Sequence, residues 1–289
     1  MLKRLLLTAV LLCSLPLQAA QDRLLIWKVS TAGSTTWLLG SMHLARTDIY
    51  PLREAISQAF ASADTLVVEL DISGPAEFAI QQKMLTRGTY SNGQTISDQL
   101  SPATWKELSR RLQDSGLPPM MMEQLKPGLV VTTLTTIEMM KLGLSPELGV
   151  DRYFLNLARG SKRIVELETI DQQIDLLLDF PDSELLVRQT LQQMDTLEQS
   201  LNELVRHWRQ GDAAALQKLV LDDELRRNPE FRPLHERMFD QRNRAMTQRI
   251  VELQRGGGQL FVVVGAGHLL GDQGIVALLK KRGQKPQQL

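Results

Sequence analysis

Cysteine is nearly missing from this chain. Of 289 residues one is cysteine, Cys13, and it lies within the first twenty. Beyond that segment there is no disulfide, no thiolate metal ligand and no cysteine nucleophile, so stability must come from packing. A surplus of charge is missing too, since 33 lysines and arginines balance 33 acids. Binding to nucleic acid or to an anionic membrane draws on a basic surplus, so neither partner is expected. The arginines between Arg226 and Arg249 alternate with acids, and only Phe231 and Phe239 offer aromatic faces nearby, which fits a solvated helix face. No Gly-x-Ser-x-Gly, His-Glu-x-x-His or Walker sequence occurs. There is also no Ser/Gly/Pro-rich linker and no internal repeat.

The longest apolar run is at the start. Lys3 and Arg4 precede an apolar stretch over 5–17, and Ala19 and Ala20 follow. This is the plan of a secretory signal peptide, too short to cross a bilayer comfortably. Residues 1–20 are therefore expected to be cleaved, leaving a periplasmic or secreted protein without a transmembrane segment. Leu11 and Leu12 precede Cys13 where a lipid-anchored cysteine follows small residues, so lipidation is not expected.

The remainder, 21–289, is long enough for one sizeable domain. Strands are expected at 24–29 and 35–39, as a hairpin through Ala32-Gly33, and at 65–70, 163–167 and 259–264. Their continuous Val/Leu runs suit strands buried on both faces. Helices are expected at 51–63, from Ser101-Pro102 onward, and at 127–142, 146–158, 181–210 and 229–255. The order predicts an α/β fold: a central, mostly parallel sheet with large helical insertions at about 74–160 and 171–255. Gly256-Gly257-Gly258 precedes a strand and reads as a helix stop. Met120-Met121-Met122 reads as packing.

Two of the four histidines share one setting. Trp37-Leu38-Leu39-Gly40-Ser41-Met42-His43 is an apolar strand, a glycine, then histidine three residues on, and Val262-Val263-Val264-Gly265-Ala266-Gly267-His268 repeats it. Glycine lets the backbone leave a strand sharply. The histidine then lands beyond the strand's carboxyl end, where open α/β sheets bind ligands. Acids stand at matching places: Glu69 and Asp71 after one strand, Glu166 and Glu168 at another. A buried carboxylate needs a partner or a cation. Two histidines with one or two carboxylates form a common shell for zinc, manganese or iron. Alone, each histidine or acid is more simply structural. The repeated setting favours a site. His207 and His235 read as surface or packing residues on helices.

Leu39-Gly40-Ser41-Met42-His43 and Gly265-Ala266-Gly267-His268-Leu269 resemble the paired Gly-x-x-His motifs of the TraB/GumN family, which includes the animal Tiki proteases. Val68-Glu69-Leu70-Asp71, Gly149-Val150-Asp151, Leu167-Glu168-Thr169 with Gln173, and Gln241-Arg242-Asn243 before Met246 resemble its intermediate motifs. The resemblance spans nearly all of the chain after the leader. It implies a fold akin to the erythromycin-esterase/ChaN-like group and a metal-dependent hydrolase or protease site. By that likeness His43, Glu69 and His268 form the core, with Glu168, Arg242 and Asn243 in supporting places. Glu166 departs from the pattern, where a small residue is expected.

Two enzyme schemes follow. In one, His43, Glu69 and His268, with Glu168 as a further ligand, hold a divalent ion such as Mn²⁺, Co²⁺ or Zn²⁺, and a peptide is cleaved. In the other no metal takes part: His43 is the base, Glu69 orients it, and His268 and Arg242 stabilise an oxyanion. A periplasmic binding protein for a peptide, another small molecule or haem is the alternative class, and an envelope scaffold a third. The sequence says nothing of oligomeric state.

Overall fold

The last long apolar run becomes the middle of the sheet. In the computed structural model, which describes residues 23–289, β5 (Gly258–Gly265) is buried from Leu260 to Gly265. With both faces covered it can only lie inside a sheet. The predicted leader and Cys13 lie outside the described residues.

The other strands are β1 (Ile26–Thr31), β2 (Ser34–Ser41), β3 (Thr65–Val68), β4 (Arg163–Glu166) and β6 (Gln287–Gln288). Their order is β4-β3-β5-β2-β1-β6. The four strands β4, β3, β5 and β2 run parallel, while β1 and β6 add an antiparallel edge. The fold is thus mixed α/β with a mostly parallel sheet, as expected. Thr31 pairs with Ser34, so Ala32 and Gly33 alone make the hairpin turn. Gly33, at φ +82°, takes the left-handed conformation that such a turn requires. β6 was not expected, because two glutamines paired with Trp27 and Lys28 carry no apolar pattern.

Aromatic packing fixes helices on the sheet. Phe60 of the helix Glu54–Ala61 and Phe154 of the helix Val150–Ala158 meet Phe261 of β5 at centroid distances of 5.4 and 4.8 Å. Met246 and Ile250 from the helix Gln241–Arg255, and Val205 and Trp208 from Leu197–Arg209, join the same core. Trp208 also donates its indole N–H to the Gly40 carbonyl at 2.7 Å, which pins the corner after β2. A second, separate core joins the helices Pro102–Asp114, Pro127–Lys141 and Ser183–Met194 through Leu108, Leu112, Val130, Leu134 and Val187. The Ser101 hydroxyl caps the first of these by accepting from Thr104 N–H.

Three expectations need correction. The helix expected over 181–210 is two, Ser183–Met194 and Leu197–Arg209. The first buries Val187 and Leu191 in the helical core, the second Leu201, Val205 and Trp208. A break lets one stretch of chain present its apolar faces to two cores. Likewise 229–255 is interrupted by a π-helical turn, Glu236–Asp240, before Gln241–Arg255 begins. Met120 and Met121 are 82% and 68% exposed, so of the three methionines only Met122 packs against the second core. Among the described residues no helix is long and apolar enough to cross a membrane.

Candidate active site

Three strands deliver the site to one edge. β2 and β5 are parallel neighbours, with Gly40 opposite Val264 and Ser41 opposite Gly265. The loops after them therefore leave the sheet at the same carboxyl edge, carrying His43 and His268. β3 ends at Val68, opposite Val263 of β5, and Glu69 follows it directly.

The three side chains meet around Gly265. A Cβ built there would lie 3.2 Å from His43 Nε2, 3.3 Å from Glu69 Oε1 and 3.6 Å from His268 Cδ2. Gly265 is the floor of the site, and a side chain on it would intrude. Its N–H donates to Glu69 Oε1 at 2.6 Å, and His268 Nε2 stands 3.7 Å from the same oxygen.

Each imidazole is oriented from behind. His268 Nδ1 is 2.6 Å from Asn243 Oδ1, and the Asn243 amide donates its other end to the Gln273 carbonyl at 3.0 Å. With the amide so fixed, Oδ1 accepts and His268 Nδ1 carries the hydrogen. The neutral ring then turns the Nε2 lone pair toward Glu69. Burial pushes His268 down to about 4 against the pull of Glu69, so the ring is neutral at neutral pH. Phe239 packs on it, ring centroids 5.3 Å apart. Gly267 makes that possible, since a Cβ there would lie 2.7 Å from Phe239 Cε1.

His43 Nδ1 faces Asp151 Oδ2 at 3.2 Å. Asp151 occupies the first turn of the helix Val150–Ala158, where the helix dipole favours a carboxylate. Gly149 allows this approach: a Cβ would sit 2.4 Å from the His43 carbonyl oxygen. Val150 N–H then donates to the Met42 carbonyl at 2.9 Å. Asp151 pulls His43 up to about 9 against the opposing effect of burial. The ring is 57% exposed, so water screens part of that pull; its direction still leaves His43 protonated at neutral pH when no cation is present. Asp151→Asn should therefore lower the His43 pKa toward or below its ordinary 6.5, read by NMR titration of the ring protons. An unchanged value would show that Asp151 does not govern this ring.

Arg242 ties the acids together. Its Nη2 donates to Glu69 Oε2 at 2.6 Å and to Glu168 Oε2 at 2.7 Å, and its Nε to Glu168 Oε1 at 2.7 Å. Glu168 reaches this place because the ladder continues past β4: Leu167 N–H donates to the Val68 carbonyl and Glu168 N–H to the Glu69 carbonyl. Burial would raise Glu69, but His268, His43 and Arg242 outweigh it and bring it to about 2. Since His268 is itself neutral at neutral pH, His43, Arg242 and the Gly265 N–H maintain the carboxylate there.

All six residues singled out for the site thus adjoin one another: His43, Glu69 and His268 at the centre, Arg242, Glu168 and Asn243 around them. Glu166 does not join them, and its Oε1 accepts from Asp71 N–H at 2.8 Å. Asp71 is in turn bound by Arg159 and Ser73. Asp151, noted only within the Gly149-Val150-Asp151 motif, was given no place in the site. Its signal was an acid in the first turn of a helix, two residues after a glycine.

A divalent cation suits this donor set in kind. Two imidazole nitrogens and a carboxylate oxygen converge, and each imidazole has its other nitrogen held by an oxygen, as metal-ligating histidines do. The 3.7 Å between His268 Nε2 and Glu69 Oε1 is a little more than the roughly 3.4 Å that two ligands about 2.1 Å from a tetrahedral ion would span. As the side chains stand, no three His, Cys, Asp or Glu donors among the described residues are close enough together to hold an ion.

The fold and site define an α/β protein with a His–Glu–His centre at the carboxyl edge of its sheet. The chain belongs to the TraB/PrgY/gumN family, which it matches over residues 25–288. It is 26% identical over 246 residues to the "Uncharacterized protein YbaP" of Escherichia coli (strain K12), covering 84% of this chain and 87% of that one, with the same figures for the protein of that name from Shigella flexneri. It is 23% identical over 332 aligned positions to "Metalloprotease TIKI2" of Danio rerio, covering 94% of this chain and 62% of that one. No solved structure matches the chain.

Proposed function

We propose that this protein is an exported hydrolase that cleaves peptide bonds with the help of a divalent metal ion. The observation that supports it is the convergence of His43 Nε2, Glu69 Oε1 and His268 on the space above Gly265. The likeness to a protein named a metalloprotease agrees with it. His43 Nε2, His268 Nε2 and Glu69 Oε1 are the donors that would hold the ion, with Glu168 next to them. Once bound, a divalent ion supplies a Lewis acid that polarises a carbonyl and acidifies water. Asp151 and Asn243 keep the two rings aimed. Arg242 keeps Glu69 ionised and in place. The charge field that holds a proton on His43 is one that a cation would satisfy instead, so ion and proton compete for the site.

The test is to add Mn²⁺, Co²⁺ or Zn²⁺ to purified protein and follow cleavage of a peptide mixture by mass spectrometry. Cleavage is expected with at least one ion, and His43→Ala should lower it by roughly 100-fold or more. No cleavage with any ion, or a His43→Ala variant as active as the parent, overturns the proposal.

One observation favours a metal-free variant of the same reading. Arg242 already satisfies Glu69, and the donors stand slightly too far apart for one ion. His43 and Arg242 would then stabilise the oxyanion. Activity that survives exhaustive chelation selects this variant, and activity lost and restored by added ion selects the first.

A further inference from the structure

A cavity of about 520 Å³ lies between the chain at 46–56 and the helix Leu197–Arg209. Its floor is apolar, with Ile49, Leu52, Val205 and Trp208 all buried. Its rim is basic. Arg46, Arg206 and Arg209 line it, together with Arg53, which has a partner of its own. Among the described lining residues the one acid is Asp48.

These arginines are poorly matched. Arg46 donates to the neutral side chain of Asn202 at 3.3 Å, and Arg206 Nη2 lies 3.1 Å from His207 Nε2. Asp48 stands 3.8 Å from Arg46 Nε and 3.6 Å from Arg209 Nη1, beyond hydrogen-bond reach of both. One carboxylate thus faces three guanidiniums, and two positive charges lack a counter-ion even with Arg53 set aside. Elsewhere pairing is close: Arg152 donates twice to Glu77, and Arg242 binds two glutamates. The dipole of the helix Leu197–Arg209 favours cations in its last turn, which accounts for Arg206 and Arg209. It does not account for Arg46, which reaches the same cavity from the loop after His43. Like charges gathered around one space repel, and an anion there relieves them. The balance of 33 basic and 33 acidic residues conceals this local excess.

The guanidinium fork matches carboxylate and phosphate alike. A carboxylate brings a single charge, whereas a phosphomonoester brings about two, with three acceptor oxygens. Only the second balances the excess. The cavity is also larger than a phosphate group fills, and the rest of its wall is apolar. We infer that it is a binding site for a phosphomonoester carried on an apolar body. The head sits among Arg46, Arg206 and Arg209, and the body lies over Val205 and Trp208. None of these residues belongs to the His–Glu–His centre, so the inference stands apart from the peptidase reading.

The test is calorimetric titration of the purified protein with hexyl phosphate, hexanol and inorganic phosphate at low salt. Hexyl phosphate should bind at least about tenfold more tightly than hexanol, and about fivefold more tightly than inorganic phosphate. Raising the salt tenfold should weaken it by about fivefold or more. Arg206→Gln combined with Arg209→Gln should weaken it by about tenfold or more, and Arg46→Gln alone by about threefold or more. Arg282→Gln, which removes an exposed arginine that does not line the cavity, should leave binding unchanged. Thermal melts check that each variant is folded. Flotation with phosphatidylcholine vesicles, with and without phosphatidate, identifies the source of the phosphate. Co-flotation that needs both phosphatidate and the arginines assigns it to a lipid headgroup. Hexyl phosphate bound without co-flotation assigns it to a soluble phosphomonoester.

Equal binding of hexanol and hexyl phosphate overturns the inference, as does the absence of any binding of hexyl phosphate. So does binding that the folded double variant retains in full, or that Arg282→Gln weakens as much as the double variant does, since attraction would then be general to the surface.

Discussion

Gly265→Ala should cripple the proposed peptide cleavage while leaving the protein folded. The added methyl would lie 3.2 Å from His43 Nε2 and 3.3 Å from Glu69 Oε1, closer than carbon usually approaches either atom. Those two side chains must retreat by a few tenths of an ångström, and the space where a reacting atom sits closes. Displacements of this size at a reacting centre cost on the order of 100-fold in rate, so kcat/KM for peptide cleavage should fall by about that factor or more. The backbone has no objection, because Gly265 is not among the glycines at positive φ. The melting temperature should accordingly change little. Binding of added Mn²⁺, Co²⁺ or Zn²⁺, measured by calorimetry, should weaken in parallel. An alanine variant that retains cleavage and ion binding within about threefold would mean that the chemistry lies elsewhere, since so small a change corresponds to less than about 1 kcal/mol.

Arg242→Met should be the most destabilising change at this site, and the effect should depend on pH. Glu69, Glu168 and Arg242 form a buried triad, with side-chain exposures of 8%, 9% and 15%. Removing the guanidinium leaves two carboxylates without their cation, and breaking such a group typically costs about 3–5 kcal/mol. In the parent, Glu69 lies at about 2 against an ordinary 4.5. A depressed folded-state pKa contributes stability that is complete above 4.5 and is lost as pH falls toward 2. In the variant much of that depression is gone, and burial favours the protonated acid. The gap between parent and variant should thus be widest near pH 7.5 and should narrow as pH is lowered through 4.5. Urea unfolding at both pH values measures it. A gap that is the same at both, or smaller than about 1 kcal/mol, would show that the triad does not hold Glu69 as described.

Much of this was legible in the sequence, for identifiable reasons. β3 and β5 are short runs of valine and leucine bounded by turn residues, a pattern that suits a strand buried on both faces. The repeated glycine-to-histidine spacing marked where those strands end. Their parallel pairing was the one fact periodicity could not supply, because it depends on β5 entering the sheet between β3 and β2. Asp151 was legible only in part. It looked like an ordinary acid in a helix running from Pro146, and its role depends on Gly149 packing against the carbonyl of a residue far away in the chain. The π-helical turn at Glu236–Asp240 left no trace in the hydrophobic pattern, yet it carries Phe239 onto His268. Such insertions recur at functional sites. The exposed Met120 and Met121 misled because thioether side chains suit cores and surfaces alike.

The position of β5 also sets a timetable. It fills the gap between β2 and β3 although most of the chain is made before it. A nascent polypeptide that has emerged only as far as β4 has no way to join those two strands, and it lacks the second imidazole altogether. Sheets closed by such distant segments assemble late and slowly. Unfinished molecules therefore lack the assembled site, and the proposed peptidase would gain its capacity only on completing its own architecture.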